Sequence, residues 1–310
     1  MEEDKNGLLS KYWDLVRSTF EFSKFVRFTK GLIDKDINKA EIETNEARKQ
    51  VEVFDAILGE IPPEALKPPP RPRYMELTED DGKLAESILN SNGGSELIAS
   101  RNNIEISKDK IQCLRDREWL NDEVINFYFD LLNDLPIPKR GRPQTYLWNS
   151  FFWLKLSDDG KGYNYKAVQR WTTRKKINLF SFDRFIVPMN IGRNHWALGL
   201  VDISNKRIRY YDSLAAGTIH TAFSEYMLRY LEDEFKDKHK GEACPEFSKE
   251  FLIEPVDPPQ QRNGFDCGVF TCMNAECLAS GRDWIDFDQS SISNMRKKIL
   301  TQIMRGQISS

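Results

Sequence analysis

Two short β-prone runs with a turn between them limit what this chain can become. The first, His195-Trp196-Ala197-Leu198-Gly199-Leu200-Val201-Asp202, is apolar almost throughout, and Arg207-Ile208-Arg209-Tyr210-Tyr211 then alternates before ending at Asp212. Ser204-Asn205-Lys206 separates them and supplies turn residues. The pattern predicts two antiparallel strands, because alternation marks a strand and polar residues of this kind mark a turn. Folding the hairpin returns Asp212 to the open end where His195 starts. Side-chain direction repeats every two residues, so Ile208, Tyr210 and Asp212 share a face. A carboxylate brought to an imidazole in this way can orient it and stabilise its charged form. Asp202 is the rival orienter, but it belongs at the turn end. The other two histidines sit in poorer company. His239 lies in the charged run Lys236-Asp237-Lys238-His239-Lys240, and His220 follows the loop-like Ala215-Ala216-Gly217-Thr218.

A third group completes the set. Cys267 lies between Asp266 and Gly268 at the end of Gln260-Gln261-Arg262-Asn263-Gly264-Phe265, and the apolar residues after it predict a helix. A thiol at a helix start faces the positive end of the macrodipole, which favours the reactive thiolate. Gln261 stands six residues upstream as an amide donor. Cys267, Cys272 and Cys277 are spaced by five. On a helix that spacing turns each away from the last by roughly 140°, and it matches no zinc pattern.

With His, Asp, Gln and Cys in that order, the chain resembles the SUMO-specific (sentrin-specific, Ulp/SENP-type) cysteine proteases of the adenain-like clan. The resemblance rests on Trp119–Tyr128, Asn149–Phe152, Ala167–Thr172, Ile177–Asp183, Val187–Pro188, Asn194–Trp196, Tyr210–Ser213 and Pro259–Gly268, and extends from about Tyr74 to Gly306. It implies a papain-like α+β fold with a central mixed sheet flanked by helices. It also implies His195, Asp212 and Cys267 as a catalytic triad, with the Gln261 amide and the Cys267 backbone N–H as oxyanion donors. Losing one such donor typically costs ~10²–10³ in rate. In the family, residues matching Trp119 and Trp196 form a narrow lid over the Gly-Gly tail of the modifier, which excludes side chains sterically. Asp122 would contact a basic residue of the modifier. The implied substrates are SUMO precursors and SUMO-conjugated proteins, and no cofactor or metal is required. The alternatives are a same-clan protease acting on another ubiquitin-like modifier, or a clan-related acetyltransferase.

Composition supplies boundaries. At 310 residues, 40% hydrophobic and 12% aromatic, the chain can bury one large core and still carry an extension. Its net charge of −3 gives no broad basic surface for nucleic acid. Five cysteines, an odd number, argue against a disulfide framework and suit a reducing compartment. The start, Met1-Glu2-Glu3-Asp4-Lys5, does not resemble a signal peptide, and no apolar run approaches the ~20 residues of a membrane span. Three parts are expected: a charged helical extension over 1–60, a proline-rich linker over 61–73, and a catalytic domain over 74–310. The extension is either a tether or the docking element for a targeting partner. A monomer is expected. The resemblance places the protein in the nucleus or at the nuclear envelope, with the cytoplasm as the alternative. Within the domain, helices are expected over Leu84–Leu97, Asn121–Leu132, Tyr226–Phe235, Cys267–Ala279 and Ile292–Arg305. Strands are expected around Ile104–Ile106, Ile111–Leu114, Phe185–Pro188, Ala197–Asp202, Arg207–Tyr211 and Phe251–Glu254, with a loop at Arg140–Pro143.

Overall fold

The computed structural model describes residues 77–135, 143–215, 217–282 and 287–308. The extension, the linker and most of the Arg140–Pro143 loop lie outside them. The first described helix, α1 (Glu79–Leu89), starts five residues before the expected one. The Thr78 hydroxyl caps it by accepting from the Asp81 N–H, and three acidic residues fill its first turn. Both choices suit the positive end of a helix. Leu97, expected to close that helix, instead opens strand β1 (Leu97–Arg101), which pairs antiparallel with β2 (Ile104–Ser107). The hairpin turns on Asn102 and Asn103, at φ 46° and 64°, a left-handed pair that asparagine tolerates better than most side chains. The strand expected over Ile111–Leu114 is helical instead. Ser107 caps a short turn over Lys108–Ile111, and a 3₁₀ turn follows over Gln112–Leu114. Local capping there outweighs the apolar run.

The central sheet has five strands in the order β3 (Thr145–Leu147), β4 (Arg184–Ile191), β5 (His195–Asp202), β6 (Arg207–Tyr211) and β7 (Leu252–Glu254). Its two outer pairings, β3 with β4 and β6 with β7, are parallel and its inner ones antiparallel, so the sheet is mixed as expected. Pro188 falls past the end of β3, where one side of β4 has no strand neighbour to bond. Around the sheet stand α2 (Asp122–Leu132), α3 (Ser150–Leu156), α4 (Thr221–Lys238), α5 (Cys267–Ala279) and α6 (Ile292–Arg305).

Both faces of the inner strands carry core residues, and strand parity sorts the core in two. Ile186, Leu198, Leu200 and Tyr211 join residues of α1, α2, α5 and α6 in one cluster. Phe185, Val187, Ala197, Val201, Ile208 and Tyr210 join α3 and α4 in the other. Gly199 belongs to this second face. A Cβ there would lie 2.0 Å from the Phe223 ring, so the bare backbone lets α4 close on the sheet. Helix α5 is buried along all 13 residues, which explains why it carries no polar face. The architecture is α+β, three layers deep, and both ends of the hairpin are anchored in it. No helix among the described residues is long and apolar enough to cross a membrane.

Candidate active site

The register of the hairpin determines the first contact. Leu198 pairs with Tyr211 and Gly199 with Tyr210. Continuing by one step sets Asp212 opposite Ala197, on the face His195 shares and one diagonal position away, within reach of an imidazole. The His195 Nε2 and Asp212 Oδ1 are 2.9 Å apart. The carboxylate is held from two further directions. The Tyr210 hydroxyl donates to Oδ2 at 2.9 Å and the Leu214 N–H to Oδ1 at 2.8 Å. Burial pushes the Asp212 carboxyl up, but the bonds from His195, Leu214 and Tyr210 outweigh it and hold the group below its ordinary value. Asp202 takes no part. It sits at the turn, where it accepts from the Asn205 backbone and side-chain N–H groups.

The second contact fixes the reactive pair. Hydrogen bonding to Asp212 and then to Cys267 raises His195 to about 9 against the opposing effect of burial. The imidazolium therefore persists through neutral pH and is lost as pH rises through about 9. Since Nε2 faces Asp212, Nδ1 is the nitrogen left for the sulfur. Cys267 is the first residue of α5, buried to 4% exposure, with Asp266 at the cap position.

Close approach brings α5 against the rest of the site. A Cβ on Gly268 would lie 2.8 Å from the Leu120 Cβ and 3.3 Å from Trp196 Cδ1. The same Leu120 offers its carbonyl to the Trp196 indole N–H at 3.0 Å. Trp196 points to the face opposite His195, as strand parity requires, and is almost fully buried, whereas Trp119 is half exposed. Between them lies a groove of about 370 Å³ that reaches Cys267 and is lined also by Asp122, Phe151 and Arg193. Asp122 opens α2, capped by Asn121, and burial together with a hydrogen bond shared with Glu123 pushes its carboxyl up. Replacing Gly268 by alanine should therefore force α5 away from Leu120. We expect a loss of about 1–3 kcal/mol, the usual cost of overpacking, together with a disproportionate fall in kcat/KM. Denaturant unfolding and hydrolysis assays on the same preparation measure both. An unchanged rate would mean the close approach has no part in the chemistry.

Gln261 is buried and oriented rather than loose. Its Oε1 accepts from the Ser213 hydroxyl at 2.6 Å, its backbone N–H donates to the Ser213 carbonyl at 2.8 Å, and its Nε2 donates to the Asn263 carbonyl at 2.5 Å. One Nε2 hydrogen remains for another acceptor. The neighbouring Gln260 donates from Nε2 to the Asp212 carbonyl at 2.9 Å. The structure adds Tyr210, Ser213 and Gln260 to the site. Tyr210 carries a signal in its place on the Asp212 face, and Ser213 and Gln260 fall within the runs that carry the resemblance. Among the described residues no group of three or more His, Cys, Asp or Glu side chains is placed to hold a metal ion.

An imidazole oriented by a carboxylate and set near a thiol, at the end of a groove walled by two indoles, is equipped for nucleophilic acyl transfer on an extended chain. The comparisons with known proteins point the same way. Human Sentrin-specific protease 2 is 36% identical over 234 residues, covering 76% of this chain and 38% of that protein. A putative ubiquitin-like-specific protease 1B of Arabidopsis thaliana is 35% identical over 241 residues, covering 75% and 68%. The chain thus spans well under half the length of the mammalian relatives it matches. Among solved structures, the C-terminal Ulp1 protease domain in complex with Smt3, the yeast ortholog of SUMO, superposes with a TM-score of 0.62 at 32% identity, covering 76% of this chain and 98% of that one. Residues 118–306 match the model of the Ulp1 protease family, C-terminal catalytic domain, and the chain belongs to that family.

Proposed function

We propose that this chain is a SUMO-specific cysteine protease that cleaves after the C-terminal Gly-Gly of SUMO, both to mature precursors and to release SUMO from the lysines of conjugates. The observation that carries the reading is the His195 imidazole bonded to Asp212 at the end of the groove between Trp119 and Trp196, where Cys267 lines the groove floor. The names of the matched relatives and the Smt3 complex of the yeast protease support the choice of modifier.

In this reading the extended tail lies in the groove, where glycine fits and a side chain would meet an indole. The Cys267 thiolate attacks the carbonyl carbon of the last glycine. The oxyanion that forms takes hydrogen bonds from the remaining Gln261 Nε2 hydrogen and the Cys267 backbone N–H. His195 gives its proton to the departing amine as the C–N bond breaks, leaving a thioester. Water then attacks, with neutral His195 accepting its proton, and the Cys267 thiolate leaves. Asp212 stays ionised and stabilises the imidazolium in both halves. Asp122, on the groove wall, would meet a basic residue of the modifier.

A panel of modifier C-terminal electrophiles tests the specificity, with SUMO, ubiquitin and other ubiquitin-like proteins in parallel. We expect the SUMO probe to label Cys267 at least tenfold faster than the rest. Faster labelling by another modifier would reassign the substrate, and modifier release that requires acyl-CoA would reassign the reaction. The nuclear or nuclear-envelope address is proposed on family resemblance alone, and imaging of the tagged protein checks it.

A further inference from the structure

The residue before the nucleophile poses an electrostatic problem. A carboxylate adjoining a thiol opposes thiolate formation, and here that residue is Asp266. It stands at the cap position of α5 yet caps nothing with its side chain. Its oxygens are turned to other donors. Oδ1 accepts from Arg296 Nη2 at 2.6 Å and Nε at 3.2 Å, while Oδ2 accepts from Asn263 Nδ2 at 2.6 Å and Gln289 Nε2 at 2.7 Å. Both partners of the ion pair are inaccessible, Asp266 at 3% and Arg296 at 1% exposure.

Arg296 has donors to spare, and they reach a different part of the site. Its Nη1 donates to the carbonyls of Cys113 and Arg115 at 3.1 and 2.8 Å, and its Nη2 to that of Glu118 at 2.8 Å. Glu118 immediately precedes Trp119, and the chain then reaches Leu120, the residue that packs on Gly268 and bonds the Trp196 indole. One buried guanidinium on α6 thus joins the loop before the nucleophile to the segment that walls the groove. Only arginine has the fork of donors for this; a lysine could neutralise the charge but not span both partners.

We propose that Arg296 and Asp266 form a positioning pair, in which Arg296 neutralises the carboxylate adjoining Cys267 and ties the nucleophile loop to the segment carrying Trp119. This rests on Cys267 being the nucleophile. The other ionisable groups around the thiol are His195 and Asp212 at the sheet end, Asp122 and Arg193 on the groove wall, and Cys113 beside Arg296. All are left in place by the substitutions below.

The test is the pH profile of alkylation by iodoacetamide of the full chain, with Cys267→Ala to isolate the reactive site and thermal unfolding measured alongside. Arg296→Met leaves the Asp266 charge unopposed and should move the midpoint up by about one pH unit, whereas Asp266→Asn leaves Arg296 unopposed and should move it down. The double variant, neutral at both positions, should return the midpoint close to wild type. Arg296→Lys should hold the midpoint while kcat/KM falls about tenfold, because the charge survives and the fork does not. A purely structural pair would lower stability in both single variants without opposite shifts, and that result overturns the proposal. If Arg296→Met does not fold, the downward shift in Asp266→Asn decides alone. Labelling that Cys267→Ala leaves unchanged would sink the nucleophile assignment itself, and the pair's role with it; labelling that depends on Cys267 but never shifts sinks the pair only.

Discussion

Replacing Cys267 by serine is expected to reduce hydrolysis of a SUMO precursor by roughly 10⁴ or more, by analogy with the loss of nucleophiles from other triads. A hydroxyl at the same point is far less acidic than a thiol and a much weaker nucleophile. The informative control lies five residues along the same helix. Cys272 is fully buried in the core, and burial pushes its thiol well above the ordinary value, which leaves it inert as a nucleophile. Cys272→Ser should therefore cost stability, because a hydroxyl enters an apolar site, and leave the rate of the folded protein within a few fold. Precursor cleavage read on gels, normalised to folded protein, separates the two. Near wild-type hydrolysis by Cys267→Ser combined with loss in Cys272→Ser would reverse the assignment.

The second large effect concerns the orienting acid. Asp212→Asn should lower kcat/KM by about 10⁴, the loss seen where the acid of a triad is neutralised. It should also move the alkaline limb of the pH profile. Asp212 is the main cause of the raised His195, whose imidazolium is held until pH rises through about 9. With an amide in its place the imidazolium should be lost nearer the ordinary value of about 6.5, so activity above neutrality falls first. Asp202→Asn is the matched comparison. It removes a charge from a turn where Asn205 is the partner, at the far end of the same hairpin. A small stability cost and no displacement of the pH limb are expected. Equal rate losses for the two variants would overturn the hairpin register as the basis for assigning Asp212 as the orienting acid.

Residue pattern alone made the hairpin, its register and the helix after Cys267 legible, because each follows from periodicity and turn chemistry within about ten residues. Elsewhere local cues competed. Thr78-Glu79-Asp80-Asp81 is a capping signal that the later apolar run conceals, and α1 starts there rather than at Leu84. Asn102-Asn103 has the chemistry of a tight hairpin, yet β1 has exposed positions and weak alternation, so its first residue, Leu97, fits a helix pattern equally well. Ile111–Leu114 had the apolar residues of a strand, but Ser107 ahead of it nucleated a turn.

What the sequence determined by itself was the set of candidate groups and their order, together with the parity that brings His195 to Asp212. The folded structure alone decided what surrounds them: Ser213 holding Gln261, Gly268 seated on Leu120, and Arg296 bridging Asp266 to Glu118. The reason is range. Strand alternation and helix starts are written in neighbouring dihedral angles, whereas Arg296 meets Asp266 across 30 residues and Glu118 across 178. Those contacts exist only once α6, the nucleophile loop and the segment before Trp119 have packed around one buried guanidinium, which no local pattern specifies.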